Sequence, residues 1–189
     1  NKLRVIDIKL NEINGGSIEV SIVKNKSKRV SNIKLIKKIK EDEKKITLNS
    51  YQNFSKRIKK VKNDLVSFID KNYPIIAYGA STKGNIVLNY SELDSNKISY
   101  VCDANIQKCG KYTPGSNIEI ISKAKMRILR PKFILVLIWS FRSEVIKEEL
   151  DYIKKGGNLI FHLPKFHIIN KKNYKNFIHK NFKNLSYRY

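Results

Sequence analysis

Ile75-Ile76-Ala77-Tyr78-Gly79-Ala80-Ser81-Thr82-Lys83-Gly84 is the stretch that decides the fold. An apolar run leads into a turn of small residues, and a helix is expected to follow over 85–90. Strand, glycine turn and helix start in that order make a phosphate site. Glycines let the backbone approach an anion, and the N–H groups of the first helical turn point at it. Lys83 adds a cation at the same spot. The spacing is G-x-x-x-x-G with the lysine ahead of the second glycine, so it is neither a dinucleotide fingerprint nor a Walker loop. A strand-to-helix turn that holds no ligand fits these ten residues equally well.

The run 98–102 reads as the next buried strand, with Asp103 at its C-terminal end. A carboxylate about 20 positions after a glycine turn is where Rossmann-type units hydrogen-bond a ribose. Asp103 reads equally well as a turn-former ahead of Ala104-Asn105.

Working outward, strands and helices alternate. An extended piece at 118–121 leads to a helix at 123–129, capped by Ser122 and ended by Pro131. The continuous apolar run 133–138 suits a strand buried on both faces. A helix is expected at 143–154, stopped by Gly156-Gly157, then a strand at 159–163. This pattern predicts an α/β fold, a Rossmann-like, mostly parallel sheet with helices on both faces. Upstream, Tyr51, Phe54, Ile58, Val61, Leu65, Phe68 and Ile69 recur at helical spacing, so a long amphipathic helix is expected over 50–70, capped by Asn49 or Ser50. Residues 24–46 read as a lysine-rich linker with a short helix. Two strands, 3–10 and 17–23, precede it and are too few to be stable alone. The tail after 165 reads as loosely packed or helical near 171–182.

Ligands of such sheets bind beyond the C-terminal strand ends. That rule puts Gly79–Gly84, Asp103, Trp139–Arg142 and His162–Pro164 on one rim. Trp139 and Phe141 can stack on a base or sugar, and Arg142 can pair with phosphate. The aromatics serve equally well as a cap on the core, with Arg142 solvated. A single strand histidine such as His162 is more often a packed or surface residue than a functional one. No nucleophile–base set, carboxylate pair or metal-ligand cluster stands out in the sequence.

The 189 residues suit one domain with additions, and 41% hydrophobic content supports a real core. No run of 18 uncharged apolar residues is present, which argues against a membrane span. Asn1 follows no leader sequence, so the chain is expected to be part of a longer protein. Two cysteines, Cys102 and Cys109, make no zinc site and fit a reducing, cytoplasmic compartment. The net charge of +23 invites a nucleic-acid reading, but its distribution argues against one. Residues 24–62 hold 15 Lys/Arg against three acids, and 165–189 hold seven against none, whereas 73–164 hold 13 against eight. The excess sits on the flanks and not around the candidate site.

Several ordered blocks carry a resemblance: Ala77-Tyr78-Gly79-Ala80-Ser81-Thr82-Lys83-Gly84-Asn85, Tyr100-Val101-Cys102-Asp103-Ala104-Asn105 with Lys108, Gly110-Lys111-Tyr112-Thr113-Pro114-Gly115-Ser116, Ile138-Trp139-Ser140-Phe141-Arg142, and Gly156-Gly157. Together they resemble the C-terminal domain of the sugar C-methyltransferases, S-adenosylmethionine-dependent enzymes that act on nucleotide-linked keto-sugars. Asn11-Glu12-Ile13-Asn14-Gly15-Gly16-Ser17 looks like the Gly-Gly-Ser corner that ends the family's preceding domain.

The resemblance implies a parent with a small zinc-binding N-terminal module, a middle domain that binds S-adenosylmethionine, and this C-terminal domain. The first two are missing from this chain, which by itself is expected to be inactive and to hold no metal. Residues 1–23 would end the methyltransferase domain, 24–72 would be linker and connecting helix, 73–169 the Rossmann-like domain, and 170–189 a basic tail. The partners implied are a nucleotide-linked sugar and the upstream domain. Tyr78, Gly79, Ser81, Thr82, Lys83, Gly84, Asn85, Asp103, Trp139, Phe141 and Arg142 would line the substrate-binding rim. The family carries a histidine directly before the Gly-Gly-Ser corner as the proposed base, and Asn14 stands there. Asparagine does not titrate, so Asn14 takes the position of the catalytic base without its proton chemistry. The other readings are a non-catalytic Rossmann-like module for a nucleotide or a protein and, last, a basic nucleic-acid binder.

Overall fold

Alternating burial along the chain separates a hairpin ribbon from a wound sheet. The computed structural model describes residues 2–11 and 13–178. Its contacts form two units, one running to Arg57 and one beginning at Ile58.

In the first unit β1 (Leu3–Asn11) pairs antiparallel with β2 (Ser17–Lys24). A short 3-10 turn, Ile13–Gly15, joins them, and Gly15 and Gly16 both adopt positive φ. Val5 faces Ile22, Ile8 faces Val20 and Leu10 faces Ile18, so one face of the ribbon is aliphatic. That face is open: Leu10 and Ile18 are each more than 60% exposed. The other face buries Ile6, close to α1 (Ile33–Lys44). Asn32 ties the helix to the ribbon, since its N–H donates to the Ile6 carbonyl and its side chain caps α1 at Leu35. Arg4 secures the intervening loop by donating to Ser27 O, Arg29 O and Ser31 Oγ. The lysine-rich stretch is thus more ordered than a linker and contains a twelve-residue helix.

Helix α2 (Leu48–Lys71) begins in the first unit and ends in the second. It starts ahead of the expected caps, with the Thr47 N–H donating to Ser50 Oγ. Its buried residues, Leu65 and Ile69, belong to the predicted stripe.

The second unit is a six-stranded sheet in the order β5-β4-β3-β6-β7-β8. Strands β3 (Ile76–Tyr78), β4 (Tyr100–Asp103), β5 (Ile120–Ser122), β6 (Phe133–Val136) and β7 (Asn158–Phe161) run parallel. The chain moves outward from β3 in one direction and then returns to continue on its other side, the doubly wound order of Rossmann sheets. One face packs Ala77, Leu135 and Ile160 against Leu65 and Ile69 of α2 and Leu88 of α3 (Thr82–Tyr90). The opposite face packs Ile76, Tyr78 and Val136 against α4 (Lys123–Leu129), α5 (Arg142–Glu148) and α6 (Leu150–Lys154). The mixed α/β architecture, the parallel sheet and the preceding strand pair are as the sequence predicts.

Three details differ from the sequence reading. The helix expected over 143–154 is two helices, interrupted at Glu149, which is buried and paired with Arg127. The tail adds an antiparallel strand, β8 (His167–Ile169), on the edge of β7. In place of a helix from 171, a 3-10 turn covers Tyr174–Asn176, while Tyr174, Phe177 and Ile178 pack against the core; 179–182 lie outside the described residues. Among the described residues no helix is long and apolar enough to cross a membrane, and no group of three or more His, Cys, Asp or Glu is placed to hold a metal.

Candidate functional site at the C-terminal sheet edge

The strand registers place the site. Cys102, Tyr78, Val136 and Phe161 lie in one row across β4, β3, β6 and β7. The next residues, Asp103, Gly79, Leu137 and His162, therefore stand together at the C-terminal edge. The Gly79 N–H donates to Cys102 O at 2.7 Å, and the Leu137 N–H donates to Tyr78 O at 3.0 Å, which extends the ladder by one step.

Gly79 turns the chain with φ 96°, a left-handed conformation that a side chain strains. Ser81 then caps α3, its hydroxyl accepting from the Gly84 N–H at 3.0 Å. Thr82 and Lys83 sit exposed on the first turn, with Asn85 behind them half-buried. Ser81, Thr82, Lys83, Gly84 and Asn85 are thus gathered at a helix N-terminus, which favours negative charge.

Both glycines are filled in from behind. A Cβ at Gly79 would lie 2.6 Å from Ile138 Cγ2, and one at Gly84 would lie 3.0 Å from Leu137 Cβ. Asp103 is also occupied. Its Oδ1 accepts from the Asn105 N–H at 2.8 Å and its Oδ2 from Lys108 Nζ at 3.2 Å. The same ammonium donates to Ala80 O at 2.9 Å, so Lys108 joins the end of β4 to the glycine turn.

Three other candidate residues, Tyr78, Arg142 and Asn14, lie elsewhere. Tyr78 points to the sheet face opposite α3, where its hydroxyl donates to Glu148 Oε2 at 2.7 Å. Burial first, and then the Glu148 carboxylate, push its phenol well above the usual range. Lys123 and Arg127 share Glu148, and Arg127 also holds buried Glu149. Arg142 opens α5 but is buried, its guanidinium 5.2 Å from the centre of the Phe177 ring. Trp139 and Phe141 form a 3-10 turn after β6, with Phe141 exposed and Trp139 half-buried. Asn14 belongs to the first unit.

His162 is fully buried and, among the described residues, neither ring nitrogen has a hydrogen-bond partner. Burial pushes its pKa down to about 4, with the nearby His167 adding to the effect; the Val136 backbone opposes it from outside hydrogen-bond geometry. His167 stacks between Phe161 and Phe177.

A cleft of about 780 Å³ opens among Arg127, Arg130, Lys132, Tyr152 and Gly157. Its Pro131, Lys132 and Gly157 precede β6 and β7, at the opposite sheet end from the glycine turn. Sheets of this order bind at the C-terminal end, so position and chemistry outweigh volume here.

Lys108 and Ile138 stand inside the quoted blocks, yet reading the sequence gave them no role. Lys108 lies five residues beyond Asp103, on the loop facing the turn, and its reach across to Ala80 is a tertiary contact without local periodicity. Ile138 is the last residue of an apolar run and reads as strand.

Comparison with known proteins fits this architecture. C-methyltransferase NovU of Streptomyces niveus is 27% identical over 173 residues, which cover 88% of this chain and 41% of that protein. The chain thus spans less than half the length of that relative. The family model for the C-methyltransferase C-terminal domain matches residues 12–164, from the ribbon corner to the end of the parallel sheet. With four-fifths of its length inside that match, the chain is a member of the C-methyltransferase C-terminal domain family.

Proposed function

We propose that this chain is the substrate-gripping, C-terminal part of a methyltransferase that acts on a nucleotide-linked keto-sugar in the cytoplasm. The observation that carries this reading is the family match, which runs unbroken through both units. The curated relative is a C-methyltransferase. In such chemistry S-adenosylmethionine supplies the methyl group. The carboxylate at the end of β4 is already engaged by the Asn105 N–H and by Lys108, which argues against that molecule on this rim. On this reading its site would belong to the upstream domain, as would any zinc.

The ribbon supports the same division. Residues 1–23 would complete the preceding domain, because β1 and β2 present an aliphatic face with no core of their own. Residues 24–72 would connect, 73–169 would form the Rossmann-like domain, and 170–189 would extend it. Ser81, Thr82, Lys83 and Asn85 at the α3 N-terminus would receive the phosphates, with Trp139 and Phe141 at the base or sugar. Asn14 would stand at the position of the family's base and, having no titrating group, take no proton.

The test is calorimetric titration of the chain with a panel of nucleotide sugars at two salt concentrations, beside Lys83→Ala. Saturable, base-selective binding is expected, weakened about tenfold by Lys83→Ala. Binding that ignores the base and falls steeply with salt would instead identify a general polyanion site. A folded chain that binds none of the panel defeats the proposal for this rim.

A further inference from the structure

The sheet keeps the strand order of dinucleotide-binding domains, yet both places where a dinucleotide meets such a sheet hold the chain's own side chains. The first is the switch point between β3 and β6, from which the chain winds outward in opposite directions. A pyrophosphate crosses the glycine turn at that point in dinucleotide folds, and a missing side chain makes room for it. Here the room is taken by Ile138, which would stand 2.6 Å from a Cβ at Gly79. The clearance at Gly84 goes to Leu137 and to the Gly79 carbonyl, 3.0 and 3.1 Å from an added Cβ. The absent side chain at Gly84 therefore serves helix-to-sheet packing.

The second place is the carboxylate that would accept the ribose hydroxyls. Each Asp103 oxygen already has a donor, the Asn105 N–H on one side and Lys108 on the other. The Asp103 side chain is only 13% exposed. Lys108 also donates to Ala80 O, so its ammonium spans from the β4 end to the β3 turn. With Asp103 so enclosed, a ribose would reach it only by moving Lys108 aside, and an ammonium left without its partner costs more than a neutral exchange.

We infer that Lys108 and Ile138 are specificity residues that bar dinucleotides from this crevice, so that the domain retains the doubly wound order without a nicotinamide or flavin cofactor. The inference deepens the proposed function, because it leaves the α3 N-terminus as the accessible part of the rim.

The test uses NADH as probe, followed by its own fluorescence and by calorimetry, on the whole chain. The wild-type chain is expected to show no saturable binding. Lys108→Ala removes only side-chain contacts at a half-exposed position and should make NADH binding saturable, at least about tenfold tighter than the upper limit set by the wild-type titration, and adding Ile138→Ala should tighten it further. Lys108→Arg keeps a cation over Asp103 and should behave as wild type. Saturable NADH binding by the wild-type chain overturns the inference, as does a Lys108→Ala chain with an unchanged circular dichroism spectrum and no gain. The nucleotide-sugar panel is read separately, so its failure leaves the NADH result intact.

Discussion

The ribbon and the sheet use similar aliphatic strands to opposite ends. In β3, β6 and β7 nearly every side chain is buried, because helices cover both faces. In β2 Ile18, Val20 and Ile22 all lie open. Composition does not separate the two, since both are rich in isoleucine and valine. Layers do: a strand whose two faces are covered contributes to a core, whereas a two-stranded ribbon covered on one face has half its apolar surface unspent. Aliphatic alternation in a sequence therefore does not by itself tell a covered strand from an open one.

Three experiments break or sharpen this contrast. The largest effect is expected at the sheet's turn. Gly79→Ala combines a positive φ with a contact to Ile138, and the two together should cost about 3 kcal/mol. Trp139 is the only tryptophan, so urea unfolding followed by its fluorescence reports the second unit. A midpoint unchanged by the substitution would mean that the turn relaxes freely.

Next comes pH. His162 is neutral in the folded unit, with a pKa near 4 against 6.5 when unfolded. A lowered histidine pKa means that the unfolded chain binds the proton first. Stability is thus full above about pH 6.5 and drains away as the pH falls toward 4, by roughly 3 kcal/mol at most. His167, lowered mainly by burial, acts in the same direction. Replacing His162 with Leu should flatten the stability profile in that window, and an unchanged slope would assign the effect to other groups.

The smallest effect is expected on the ribbon. Ile18→Thr with Val20→Thr should shift the stability of this chain by less than about 0.5 kcal/mol per site. In a longer protein that includes the preceding region the same pair should cost clearly more, if that region covers the face. Equal effects in both would show that nothing packs there.

The parallel sheet is legible because both-face burial writes continuous apolar runs at 75–78 and 133–138, and Ser122 and Pro131 punctuate α4 as expected. Strand β8 is not, because three residues on an antiparallel edge carry no measurable period. The glycine turn is legible as a turn, and the side-chain directions around it are less so. Tyr78 follows strand alternation with Ile76, which sends it to the face of α4 and α5. Arg142 stands on the same helical stripe as Val145 and Ile146, a spacing that points inward. Both signals are in the sequence, but a polar atom at a strand end draws the eye to the rim. Lys108 is the reverse case, since nothing local announces where a long flexible side chain will reach.

Strand β8 also bears on how the sheet would meet other chains. It lies beyond the family match, covers the open side of β7, and is itself only three residues long, with Lys165 before it and Lys171 and Lys172 after it. A short edge fenced by like charges is a poor template for a neighbouring backbone. A chain ended after Pro164 would expose Asn158–Phe161 as its border, an aliphatic strand with no charge of its own. Such a truncation should aggregate during expression even though every residue of the glycine turn is intact, which would separate the strand's role in solubility from the turn's geometry.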